Sequence, residues 1–228
     1  MIPKIIHHVW PGADPFRKKF HTWRTSWMRK HPDWTFYFWR LDNLPDTISP
    51  AVKAAANDPG FALCPKSDMI RFEIVRLFGG IYVDTDMECL QSFDPFLDHE
   101  FFSGYEDDER RICPSVFGAT PNHPILNLMS QTSVGNAQRY GHELCNAQPH
   151  KYTSVKPFTK IVRAYMEQQP KQDDSSLPES IKVYHRNYFY PVYFNEKHRL
   201  KEKAVGSYAK HHWTGNDPDG WTKGPQFA

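Results

Sequence analysis

The chain has 228 residues, 28 Lys and Arg against 26 Asp and Glu, and a formal net charge of +2. That length supports one substantial α/β core in a single domain. So even a balance leaves no broad basic footprint for nucleic acid.

Cys64, Cys89, Cys113 and Cys145 lie far apart and form no CxxC pair. Reduced thiols therefore fit better than a zinc knuckle or a disulfide framework. The chain opens Met-Ile-Pro-Lys and passes directly into a strand-like run, without the charged and apolar regions of a secretory signal. No apolar run is long enough to span a bilayer, so the expected location is cytoplasmic.

The first strand is expected over Lys4 to Trp10, KIIHHVW, with Pro11-Gly12 turning it. Phe16, Phe20, Trp23 and Trp27 then fall on one helical stripe, read as core packing for at least three of the four. Trp34 to Trp39 has strand composition, so a βαβ unit with a parallel sheet is expected. A short helix is expected at Ala51–Ala56.

The stretch from Lys66 to Leu90 organises the rest. Ser67 is expected to cap a helix running to Phe78, with Met69, Ile70, Ile74, Leu77 and Phe78 facing a core. Gly79-Gly80 stops it. Ile81-Tyr82-Val83 reads as a short buried strand, and it ends in Asp84-Thr85-Asp86. Two carboxylates at the mouth of a buried strand cost free energy unless a cation meets them. A divalent metal carrying a phosphorylated ligand is the simplest such partner.

Further strands are expected at Phe101 to Tyr105, Ser115 to Ala119 and Ile181 to Tyr184. Helices are expected over His123 to Ser133 and Pro157 to Gln168. The charged run Glu106 to Arg111 reads as a solvated loop, and Gln169 to Ser180 as an exposed one. Lys210 to Ala228 reads as an irregular tail.

Four constellations carry chemistry. Asp84 and Asp86 lie where open α/β folds bind ligands. As a bare triplet DxD is weak; its context strengthens it. Asp68 and Arg71 share a helix face, either as an ion pair or, with Ser67, as a clamp for sugar hydroxyls. Trp10 ends a strand, either as core or as a stacking platform for a nucleobase. His211 and His212 precede Trp213, and imidazole is a common metal ligand.

Together these residues resemble the DXD-containing glycosyltransferase sugar-binding family. IPKIIHHVWPG is similar to its opening, and ALCPKSDMIRFEIVRLFGGIYVDTDMECL to its most specific block. GATPNHPIL, IKVYHRNYFYP and YAKHHWTGN resemble later segments. The resemblance implies a GT-A type, Rossmann-like mixed sheet flanked by helices. Residues 1–90 would form the nucleotide-sugar half, and residues 91–228 the acceptor side and a C-terminal lid around Trp213.

It further implies transfer of a hexose or N-acetylhexosamine from a UDP- or GDP-sugar, with retention, to a glycan or lipid-linked glycan. Bacterial surface polysaccharide is the expected setting, with peripheral membrane contact through the acceptor. Trp10 would stack on the base and Tyr82 would lie near the nucleotide. Ser67, Asp68 and Arg71 would hold the donor sugar. Asp84 would touch ribose or sugar, and Asp86 with His211 would ligate Mn²⁺ or Mg²⁺. The resemblance breaks where Asn216-Asp217 replace the family's Ser-Trp. A non-catalytic binding module and a metal-dependent phosphohydrolase are the alternatives.

Overall fold

The computed structural model describes residues 1–12, 18–108, 110–169 and 180–214. Phe16, Glu109, Asn216, Asp217 and Trp221, and nearly all of the expected loop before Ser180, lie outside the described residues.

Six strands form one mixed sheet: β1 (Ile5–Val9), β2 (Thr35–Trp39), β3 (Gly80–Val83), β5 (Phe101–Tyr105), β6 (Ile112–Ala119) and β7 (Ile181–Tyr184). Their spatial order is β2-β1-β3-β6-β5-β7. β1 pairs in parallel with β2 and β3, and β5 with β7. Only β6 runs against its neighbours, pairing antiparallel with both β3 and β5. The other five strands therefore end at a common edge. A second, two-stranded ladder joins β4 (Met87–Cys89) to β8 (Ala209–His211).

Helix α1 (Lys18–Lys30) packs on the face that carries β4, with Trp27 buried among Ile6, Ile81 and Phe93. Helices α2 (Pro50–Asn57), α3 (Leu63–Phe78), α4 (Pro124–Ala147), α5 (Pro149–Tyr152) and α6 (Val155–Glu167) are the remaining ones described. Residues of α2, α3, α4 and α6 build the opposite cluster with Tyr82, Phe101 and Phe117. Phe72 stacks on both Phe117 and Phe158 within that cluster.

Three expectations need correction. α3 begins at Leu63, capped by Ala62, rather than at Ser67. Pro65 falls in its first turn, where a missing N–H costs nothing, so the helix starts a turn early. Of the aromatic stripe, Phe20 and Trp27 are buried as expected, Trp23 is half-buried and stacks on His212 at 4.2 Å, and Phe16 lies outside the described residues. The charged hairpin is only partly solvated: Glu106 is buried and Arg111 pairs with it and with Asp107. The tail is not irregular from Lys210, because Lys210 and His211 sit in β8 and pair with Glu88 and Met87.

Gly79 ends α3 with φ +63°. A methyl group there would stand 2.7 Å from Pro121, so the close turn from helix to strand requires glycine. This turn delivers β3, and Asp84 after it, to the ligand-binding edge of the sheet.

Candidate metal and donor site

Asp84 leaves β3 with its N–H bonded to the Ser115 carbonyl at 2.8 Å. Its carbonyl then accepts from the Met87 N–H, closing a turn over residues 84–87. That turn sends the two carboxylates apart. Asp84 Oδ1 accepts from the Tyr82 hydroxyl at 2.6 Å and faces Arg71 at 3.1 Å. Asp86 turns toward the last strand. Its Oδ1 lies 2.9 Å from His211 Nε2, and its Oδ2 accepts from the Thr214 N–H and hydroxyl at 2.8 and 3.0 Å.

The electrostatics are strong because the groups are dry. Burial alone pushes the Asp86 carboxyl up, yet His211 and Thr214 hold it well below the usual carboxylate range. Burial pulls the His211 imidazole down, but Asp86, then Asp84 and Glu106, leave it raised. Burial likewise opposes the Arg71 charge, and Asp84 and Asp68 more than restore it.

Asp68 projects from α3 beside Arg71, at 3.1 Å, and accepts from the Thr153 hydroxyl at 2.7 Å. It is 1% exposed. Desolvation outweighs Arg71 and raises its carboxyl from 3.8 to about 6. Arg71 is fully engaged: its guanidinium also donates to the Pro114 carbonyl, contacts Ser67 and covers the Tyr82 ring.

Asp84, Asp86 and His211 each offer a ligand atom, and all these atoms lie within 4.8 Å of one another. Two carboxylates and one imidazole suit a hard to borderline divalent cation. His211 Nδ1 is buried without a partner among the described residues, a second sign that the present hydrogen bonds do not exhaust the site. The donor set fits Mn²⁺ better than Mg²⁺, which prefers oxygen alone.

The remaining expected residues are placed differently. Trp10 stands at the end of β1 but is 5% exposed, edge-on to Phe20. Trp213 packs with its ring 3.9 Å from that of His211, and its indole N–H donates to the Val192 carbonyl at 2.7 Å. His212 points away from His211, to Glu88 at 3.0 Å, as alternation along a strand requires. Sequence reading missed Thr153, Thr214 and Glu106. The first two are single hydroxyls without a pattern, and Glu106 was hidden in its charge run. The site draws on both halves of the chain, since His211, Thr153 and Pro114 complete what α3 and β3 begin.

A Rossmann-like mixed sheet with a DxD turn at its carboxyl edge defines the GT-A class of glycosyltransferases. The solved structure titled PaToxG glycosyltransferase shares this fold, with a TM-score of 0.55 at 18% identity over 73% of this chain and 70% of that one. Residues 18–103 match the family described as "Glycosyltransferase sugar-binding region containing DXD motif". Over that stretch the chain is similar to this DXD-containing glycosyltransferase family. It is 26% identical over 164 residues to inositol phosphoceramide mannosyltransferase 1 of Schizosaccharomyces pombe, covering 69% of this chain and 49% of that protein. An uncharacterized glycosyltransferase of Acanthamoeba polyphaga mimivirus is 24% identical over 184 residues, 78% of this chain and 71% of that one. The chain thus spans about half the length of the fungal relative.

Proposed function

We propose that this protein is a metal-dependent, retaining glycosyltransferase. It would move a hexose or N-acetylhexosamine from a UDP- or GDP-sugar to a glycan or lipid-linked glycan. The observation that carries this reading is the convergence of Asp84, Asp86 and His211 at the carboxyl edge of β3, beside the buried Asp68–Arg71 pair.

Asp86 and His211 would hold Mn²⁺ or Mg²⁺, with Asp84 at its flank. The ion, when bound, supplies Lewis-acid neutralisation of the departing diphosphate. The chain's own residues do the rest. Arg71 places a fixed positive charge against the donor, in a site dry enough to strengthen it. Asp68, held by Thr153 and Arg71, accepts from donor-sugar hydroxyls near Ser67. Tyr82 fixes Asp84 through its hydroxyl. Trp10 can stack on the base only if donor binding uncovers its ring, and Trp213 walls the site next to His211.

One curated relative is named as an inositol phosphoceramide mannosyltransferase, which favours mannose and a lipid-linked acceptor, and another as a human alpha-1,4-N-acetylglucosaminyltransferase, which keeps N-acetylhexosamine in the proposal. A bacterial surface-polysaccharide setting draws no support from the fungal and viral relatives, and neither do they support a cytoplasmic one. Among the described residues no helix is long and apolar enough to cross a membrane.

The test is release of nucleoside diphosphate from GDP-mannose, UDP-N-acetylglucosamine, UDP-galactose and UDP-glucose, with and without Mn²⁺. One donor should turn over only with metal, and Asp86→Asn should abolish that turnover. Undiminished metal-dependent turnover by Asp86→Asn would sink the assignment. Binding without turnover would make the protein a binding module instead.

A further inference from the structure

We propose that Glu106 takes up the proton of the hydroxyl that attacks the donor sugar, an inference that rests on the transferase reading above. Its place in the fold comes first. β5 runs in the same direction as β3, because each is antiparallel to β6. Glu106, the residue after β5, therefore surfaces at the same sheet edge as Asp84.

Its face comes second. Side chains alternate along a strand, so Glu106 shares a face with Gly104. A methyl group on Gly104 would meet Phe189 at 2.6 Å and Tyr190 at 3.4 Å. Tyr190 in turn lies 6.0 Å from the His211 ring. Glu106 thus belongs to the His211 flank, opposite the Asp68–Arg71 clamp, and its charge acts on both His211 and Tyr190.

Glu106 is 6% exposed. The groups that face it are Arg111, 3.1 Å away, and Asp107 on its own hairpin, Cys113 on β6, and Tyr190 and His211. A purely structural role would be to close the hairpin. Asp107 already does this, accepting from the Arg110 and Arg111 N–H groups and from Arg111 Nε. A buried acid at the same sheet edge as Asp84 and Asp86 adds negative charge there, and it cannot serve an anionic diphosphate. It can serve a hydroxyl. Burial, which raises its carboxyl above the ordinary range, also makes it a better base.

Its flank fits the stereochemistry. Retention needs the acceptor on the leaving-group side, which is the side of the metal ligands. In the step, the acceptor oxygen bonds to the anomeric carbon. The bond from that carbon to the phosphate oxygen breaks, and its electron pair leaves with the nucleoside diphosphate. The hydroxyl proton passes to the Glu106 carboxylate and then to solvent.

The experiment uses water as the attacking hydroxyl, so no acceptor need be known. Donor hydrolysis by wild type, Glu106→Gln and Glu106→Asp is measured with Mn²⁺, together with donor KM, Mn²⁺ affinity and Tm. Glu106→Gln should lose about 100-fold or more in kcat, while donor KM and Mn²⁺ affinity stay within about threefold. Glu106→Asp, which keeps the charge and so the fold if Gln does not, should fall between the two. An active wild type whose Glu106→Gln keeps its kcat, or loses kcat only in step with Mn²⁺ affinity and Tm, overturns the proposal. A wild type that turns over no donor overturns the transferase reading instead.

Discussion

Replacing Asp68 with Asn should stabilise the protein while damaging it as a catalyst. Asp68 ionises at about 6 in the fold, against 3.8 for the free group. A carboxylate with a raised folded value contributes stability that is present below about pH 4 and is lost as pH rises through about 6. That gap corresponds to about 3 kcal/mol of native-state strain at neutral pH. Asn keeps an oxygen for Thr153 and removes the charge, while Arg71 retains Asp84 at 3.1 Å. Some attraction to Arg71 is forfeited, so a net gain of about 1–3 kcal/mol is expected at pH 7.5. For a chain of this length that is a Tm increase of about 3–10 °C. Urea unfolding of both proteins at about pH 7.5 and about pH 4 checks it, with donor turnover measured alongside. The gain should vanish at the acid pH, where Asp68 is already protonated. A loss of stability above about 1 kcal/mol at pH 7.5, or a difference indifferent to pH, would refute the reasoning.

Three other outcomes are expected. Gly80→Ala should cost about 2 kcal/mol or more in urea unfolding, because φ is +89° and the methyl would stand 2.7 Å from the Ile5 carbonyl of β1. Glu73→Ala should cost about 2–4 kcal/mol by the same measurement. It would strip the Ser49 N–H, the buried Ser130 hydroxyl and Arg76 of their shared acceptor. Mn²⁺ must displace the Asp86–His211 hydrogen bond, and His211 is held protonated to higher pH than a free imidazole. Mn²⁺ affinity by calorimetry should therefore rise between about pH 6 and pH 8, with proton release; affinity that falls or stays flat would argue against His211 as a ligand.

Much was legible before any coordinates. Composition and period placed β1, α1, β2, α2, α3, β3, β5 and β7, because local hydrophobic pattern sets those elements. The Gly79-Gly80 stop and the strand behind it also located the acids at the sheet edge, since glycine's conformational freedom acts within one turn. Glu106 was misjudged because a side chain's burial depends on what packs against it, not on the charge of its neighbours in sequence.

By itself, then, the sequence determined most strands of the main sheet, the helix stop, the DxD turn and the family they resemble. The pairing of His211 with Asp86, 125 positions away, was expected from the resemblance alone; only the tertiary structure decided that Thr153 holds Asp68, that Thr214 holds Asp86, and that Glu106 shares the His211 flank. Those pairings depend on strand order and on β6, which runs against its neighbours in the main sheet. Such long-range choices are fixed by which faces bury one another, and no local pattern encodes them.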